Sequence, residues 1–290
     1  MKRHLFTHYH PAVIFLYFAG AIILSMCTMH PFFVLLSFLC SGCYCIYLRG
    51  LRSYLKGLRW YLVMMLIIAA ANALFNGLGL SVLFYLGGRP ITVEAILFGL
   101  CSGLMLISVL QWFSCYQLVM TSDKFMSLFG GKLPTISMML AMVFRYIPDT
   151  IRKSHEIAAA QRSLTGGEKQ GRKQKMAQGV RIASILMSWS MENSLETADS
   201  MHSRGYGSGR RSHYANERFT LYDGVSAAVL LALLLLSIPV LFLCANRFQF
   251  YPLLSPADFP LWFSLPYAIL LCYPLLLEGK EAVLCLRYRF

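Results

Sequence analysis

Two short segments hold the residue types best suited to specific chemistry: Ala160-Gln161-Arg162-Ser163 and Ser203-Arg204-Gly205. In each, an arginine stands where a helical pattern closes, and glycine follows at Gly166-Gly167 and at Gly205. Glycine is a natural helix terminator, and a cation there meets the negative end of the helix. Capping alone accounts for such a pairing. Arginine also carries a rigid five-donor fork suited to carboxylates and backbone carbonyls of a partner. The two helix ends that carry Arg162 and Arg204 are therefore candidate anchors for a protein partner.

Other constellations carry less. Gly130-Gly131-Lys132 lacks the earlier glycine and the Ser/Thr of a phosphate loop. There is no HExxH and no aspartate-rich diphosphate site. The seven histidines do not pair inside apolar runs, so no heme or metal centre is expected; His4, His8 and His10 read as exposed polar residues. Asp123, Asp149 and Glu156 are too scattered to ligate a catalytic metal. All nine cysteines lie in or beside apolar runs, and Cys40 and Cys43, although spaced CxxC, read with the rest as small packing residues. Asn72 and Asn76 share a helix face and read as interhelical hydrogen-bonding groups, while Gly99 and Gly103 form a GxxxG that permits close helix packing. Glu94, Asp223 and Glu278 stand at span ends, and no acid or base marks a span centre, which argues against ion coupling.

The elements that position these residues belong to a membrane protein. The chain has 290 residues, 57% apolar and only 13% charged. A soluble domain carries about a quarter charged residues. Six apolar stretches are long enough to span: 12–29, 32–48, 61–86, 91–120, 221–244 and 261–277. His30-Pro31 makes a tight hairpin of the first two. With the N-terminus in the cytoplasm, the short inside segments hold nine basic residues, among them Arg49, Arg52, Lys56 and Arg59 in an inner loop at 49–59 and Lys280, Arg287 and Arg289 in a tail. The outside holds only Arg89 and Arg247, so the positive-inside rule places both termini in the cytoplasm. The expected fold is an all-α polytopic bundle of about six spans, divided into 1–120 (four spans), 121–220 (cytoplasmic helices) and 221–290 (two spans and a short tail).

The 121–220 insert holds fifteen basic residues and two long amphipathic patterns. The first spans about Pro134–Leu164, with Ile136, Met139, Leu140, Val143, Phe144 and Ile147 at helical spacing and a bend expected at Pro148. A basic turn at 168–175 precedes the second, about Met176–Ser203. Helices too polar to span and too apolar to be linkers lie against a membrane surface or another protein.

On these residues the chain resembles the transmembrane T component of energy-coupling factor (ECF) transporters, the ABC importers for vitamins and metal ions. The resemblance covers nearly the whole chain. It rests on His10-Pro11, on Leu133-Pro134, Phe144-Arg145-Tyr146-Ile147-Pro148 and Ala160-Gln161-Arg162, and on Met201 to Gly207 with Arg210-Arg211. It implies that two short Ala-Arg-Gly-like motifs end the coupling helices and dock into two cytoplasmic ATPase subunits. ATP and Mg would sit on those partners and none on this chain. Closure of the ATPase pair would pass to a separate small substrate-binding membrane subunit. Ser203-Arg204-Gly205 matches the second motif with serine for alanine, and Ala160, Arg162 and Ser163 stand for the first, so these six are the ATPase-docking residues the resemblance implies. At the first, Ser163-Leu164-Thr165 stands where Ala-Arg-Gly is expected. Either Arg162 anchors from a half-turn away, or the two ATPase contacts are unequal.

The resemblance implies a non-catalytic transporter subunit in a bacterial or archaeal cytoplasmic membrane, with no nucleic-acid partner. A competing reading is a membrane enzyme acting on a lipid or prenyl-phosphate substrate, its basic insert holding phosphates. A third is a structural protein whose basic patches bind anionic lipid.

Overall fold

The computed structural model describes residue 6 and residues 9–76, 79–86, 89–130, 134–164, 171–209, 219–251 and 261–287. Within them the chain forms α1 (Pro11–Cys27), α2 (Pro31–Arg49), α3 (Leu51–Phe75), a hairpin of β1 (Val82–Leu86) and β2 (Arg89–Thr92), α4 (Val93–Val119), α5 (Ser122–Gly130), α6 (Pro134–Leu164), α7 (Arg172–Ser203), α8 (Leu221–Arg247), a 3-10 turn (Leu261–Ser264) and α9 (Leu265–Arg287). It is an all-α membrane bundle with one small hairpin. The chain divides into two compact units, residues 1–125 with 217–290, and residues 126–216.

Five helices in the first unit are long and apolar enough to cross a membrane: Pro31–Arg49, Leu51–Phe75, Val93–Val119, Leu221–Cys244 and Trp262–Gly279. The expected first span is α1, which at 17 residues is shorter than these five. His10 and His30 open α1 and α2 in the same way. Each precedes a proline, and each ring Nδ1 accepts from the backbone N–H two residues on, at 3.2 Å from Ala12 and 3.3 Å from Phe32. Proline at the first helical position already lacks the donor that would go unmet there.

Several expected boundaries move. The 49–59 segment is not a loop. Gly50, at φ +82°, is the whole junction between α2 and α3, so Arg52, Lys56 and Arg59 ride on the first turns of α3. The third apolar stretch does not reach Leu86 as helix. It ends at Phe75, and Val82–Leu86 pairs antiparallel with Arg89–Thr92. The apolar run Ser81–Leu86 is too short for periodicity to separate strand from helix, and its β-branched and aromatic residues suit a strand. α9 continues past 277 to Arg287, so Lys280 and Arg287 are helical and not in a tail.

The bundle core is aromatic. Trp112 is fully buried and lies 5.9 Å from Tyr17 and 6.3 Å from Phe18, centroid to centroid, both edge-on. The Trp112 and Tyr17 tips are matched, as buried indole and phenol groups require, whereas the hydroxyl of Tyr44, buried beside Trp112, has no hydrogen-bond partner among the described residues. Trp112 Nε1 donates to Ser37 Oγ (3.2 Å), Ser37 Oγ meets Ser25 Oγ (2.8 Å), and Tyr17 OH donates to the Leu271 carbonyl (3.0 Å). Ser41 donates to Gln111 Oε1 (2.7 Å), whose amide donates to Tyr54 OH (3.2 Å). Helices α1, α2, α3, α4 and α9 are thus stitched by hydrogen bonds that no water in a bilayer could replace.

The GxxxG of α4 packs against α3. A β-carbon at Gly99 would lie 2.8 Å from Ala69 Cα, and one at Gly103 would lie 3.0 Å from Met65 Cγ. Asn76 Nδ2 donates to Asn72 Oδ1 (2.8 Å), and Asn72 Nδ2 donates to Ser102 Oγ on α4 (3.5 Å), so this asparagine pair does join two helices. At the start of α8, Asp223 accepts from Thr220 N and Oγ1 and from His10 N, tying α8 to the start of α1. Cys27, Cys40, Cys43, Cys45, Cys101, Cys115, Cys244 and Cys272 are free thiols.

Candidate functional site

The second unit is built from α6 and α7. The first coincides with the expected Pro134–Leu164 helix and runs unbroken through Pro148. The second starts at Arg172, four residues ahead of the expected Met176, because part of the basic turn is already helical. Arg172, Lys173 and Lys175 there carry the same sign as the helix N-terminus, a mildly unfavourable arrangement.

Two contacts fix how the helices meet. Tyr146 OH is 2.7 Å from Thr197 Oγ1, and Lys153 Nζ lies 6.0 Å above the Trp189 ring. Seven residues forward on α6 therefore correspond to eight residues back on α7, so the pair is antiparallel. Between them lies a cleft of about 1180 Å³ lined by Arg145, Tyr146, Asp149, Glu196, Thr197 and Arg204, among others. Asp149 is engaged by Arg152 on its own helix, and Glu156 by Lys153. These two acids are thus paired with basic neighbours on their own helix. Among the described residues no group of three or more His, Cys, Asp or Glu is placed to hold a metal ion.

The candidate docking residues sit at opposite ends of this pair. Ala160, Arg162 and Ser163 lie in the last turn of α6, sixteen residues beyond Tyr146 at Arg162; Arg204 lies seven beyond Thr197. At 1.5 Å per residue the two arginines are separated by roughly 35 Å along the pair. The structure therefore brings Ser203, Arg204 and Gly205 together, brings Ala160, Arg162 and Ser163 together, and keeps the two groups apart.

The end of α7 is the better-built of the two. Gly205 adopts φ +80°. Its N–H donates to His202 O (2.9 Å), and Tyr206 N–H donates to Met201 O (3.0 Å). This is the paired hydrogen bonding of a Schellman cap, which needs a left-handed residue where glycine costs least. Ser208 then donates through both N and Oγ to Gly205 O, and Gly207 is again at positive φ (+92°). Ser203 Oγ donates back to Asp199 O. Arg204 is exposed on this locked turn. At the other end Ser163 Oγ donates to Ala159 O (3.2 Å), and Arg162 and Leu164 are both exposed. The expected stop at Thr165-Gly166-Gly167 and the pair Arg210-Arg211 lie outside the described residues.

Within this unit neither long helix is covered. No residue of α7 is buried, and Met176, Val180, Met187, Met191 and Leu195 form one exposed apolar stripe. On α6 the exposed stripe is Ile136, Met139, Val143, Ile147 and Ile151, on the face opposite the cleft. Contiguous exposed apolar surface of this extent marks an interaction face. Arg145 and Tyr146 belong to a segment that stood out in the sequence, but their partner Thr197 carries no signal of its own there. It is recognisable only once the two helices are paired.

A family model for CbiQ, described as a cobalt transport protein, matches residues 5–214. No curated protein matches the chain. The matched stretch takes in α1 to α7, including the whole α6–α7 pair and its two arginine-bearing ends. The chain is a multi-pass membrane protein and belongs to the CbiQ family of cobalt transport proteins.

Proposed function

We propose that this chain is the transmembrane coupling subunit of an ECF-type ABC importer. It holds two cytoplasmic ATPase subunits, one at Ser203-Arg204-Gly205 and one at Ala160, Arg162 and Ser163, and passes their ATP-driven closure to a separate small substrate-binding membrane subunit. It binds no cofactor and catalyses no reaction; ATP and Mg belong to the ATPases. It sits in a bacterial or archaeal cytoplasmic membrane with both termini inside. Its cargo is a vitamin or a transition-metal ion, and the family description favours the metal.

The observation that carries this reading is the α6–α7 pair. Two arginine-bearing helix ends stand roughly 35 Å apart, on helices whose apolar stripes are left uncovered. A subunit built to be clasped at two points by a pair of similar proteins needs this arrangement. The test is purification of the tagged chain from its native membrane in mild detergent, with partners identified by mass spectrometry. Recovery of one or two ATPases and a small hydrophobic protein is expected, and Arg204→Glu should lose the ATPases. Full assembly and transport in that variant would count decisively against the assignment.

A further inference from the structure

We propose that Cys40 and Cys272 form a modification site, a pair of thiols that an apolar hydroperoxide closes into a disulfide joining α2 to α9. The two sulfurs are 3.5 Å apart, although 232 residues separate them in the chain. The CxxC neighbour Cys43 is exposed on α2, while Cys40 is buried, and the recorded sulfur contact of Cys40 is with Cys272. Both thiols lie within apolar spans, where a water-borne oxidant is scarce and a lipid-soluble one partitions. Cys272 is partly exposed and offers the way in.

The chemistry balances. One sulfur attacks a peroxide oxygen, the O–O bond breaks, and the alkoxide leaves as an alcohol with the thiol proton. The resulting sulfenic acid is attacked by the second sulfur, the S–O bond breaks, and water leaves with the second proton. In sum the hydroperoxide and two thiols become a disulfide, an alcohol and water. Because the second sulfur already touches the first, ring closure outruns further oxidation to sulfinic acid. The product ties a helix from the first third of the chain to its last described helix, across the whole α6–α7 insertion.

The test uses the full chain in native membranes, with a site-specific protease recognition sequence placed in the basic turn at 168–175. Cleavage there separates a fragment with Cys40 from one with Cys272. A second thiol pair, Cys45 with Cys115, stays within one fragment and cannot link the two. Membranes are treated with cumene hydroperoxide, cleaved, and run without reductant. Linked fragments that dithiothreitol releases are expected in the wild type and in Cys43→Ser, with loss of the link in Cys40→Ser and in Cys272→Ser. Mass spectrometry of the wild-type product, which needs no variant to fold, should show the Cys40 and Cys272 peptides joined. Unlinked wild-type fragments would overturn the proposal, as would a link that persists in Cys272→Ser.

Discussion

Replacing Gly99 by alanine puts a methyl group into the α3–α4 contact. Its β-carbon would meet Ala69 Cα at 2.8 Å and Asn72 Cβ at 3.0 Å. The first is backbone, so no rotamer change relieves it and α3 must move away. Overpacking of this kind costs about 1–3 kcal/mol. Removing a mid-helix glycine returns about 1 kcal/mol. The net expectation is destabilisation by up to about 2 kcal/mol. Gly103→Ala is the control. Its β-carbon meets the flexible Met65 side chain first, at 3.0 Å, and backbone only at 3.4 Å. There the gain and the loss should nearly cancel, to within about 0.5 kcal/mol. Ala69 is the one buried residue of α3, so its contact with Gly99 sits where the two helices approach most closely. The assay is the unfolding midpoint of the purified protein in mixed micelles of mild detergent and dodecyl sulfate. Equal losses in the two variants would refute the reasoning. So would restoration of the Gly99→Ala protein by Ala69→Gly, which leaves the offending Cα in place.

Gly205→Ala forces an L-residue to φ +80° and should weaken the α7 cap by about 1–2 kcal/mol; hydrogen exchange at Gly205 and Tyr206 should rise, while Gly209→Ala, in open space, leaves it unchanged. Asp223→Ala removes the acceptor for Thr220 and for His10 N and should cost about 1–2 kcal/mol in the same micellar unfolding assay. Tyr146→Phe breaks the bond to Thr197 and should loosen the α6–α7 pair by about 0.5–1.5 kcal/mol, read as faster exchange in both helices. Burial holds the His30 imidazole below its ordinary pKa, so the unfolded chain binds more protons than the native one between the two values. Stability attributable to His30 is present above about pH 6.5 and is lost as pH falls through the native value. A melting-temperature series from pH 7.5 down to 5 should decline more steeply in the wild type than in His30→Asn, which keeps a capping acceptor.

The parts of this fold that can be read from the chain are those whose signals are local. Pro134 and the apolar spacing after it mark the start and course of α6, His30-Pro31 marks the α1–α2 junction, and Gly205 marks the end of α7. The parts that cannot be read depend on competition between neighbours. Arg52, Lys56 and Arg59 look like loop residues by charge, yet the adjoining helix simply continues through them, with Gly50 alone making the turn. Val82–Leu86 is apolar enough to extend a span and becomes a strand because Arg89–Thr92 is there to pair with it. Among the candidate docking residues, the Arg204 turn is legible because glycine at positive φ has few other uses. The cleft is not legible, because Thr197 and Glu196 gain meaning only opposite Tyr146 and Arg145.

The Tyr146–Thr197 contact divides the α6–α7 pair unevenly. From that point Arg162 is sixteen residues out and Arg204 only seven, arms of about 24 Å and about 10 Å. Treated as a lever pivoting there, the pair sweeps its Arg162 tip more than twice as far as its Arg204 tip for the same rotation. Equal forces at the two tips would then exert unequal torque. The shorter arm carries the doubly hydrogen-bonded glycine turn; under such a rotation the longer arm would travel the farther.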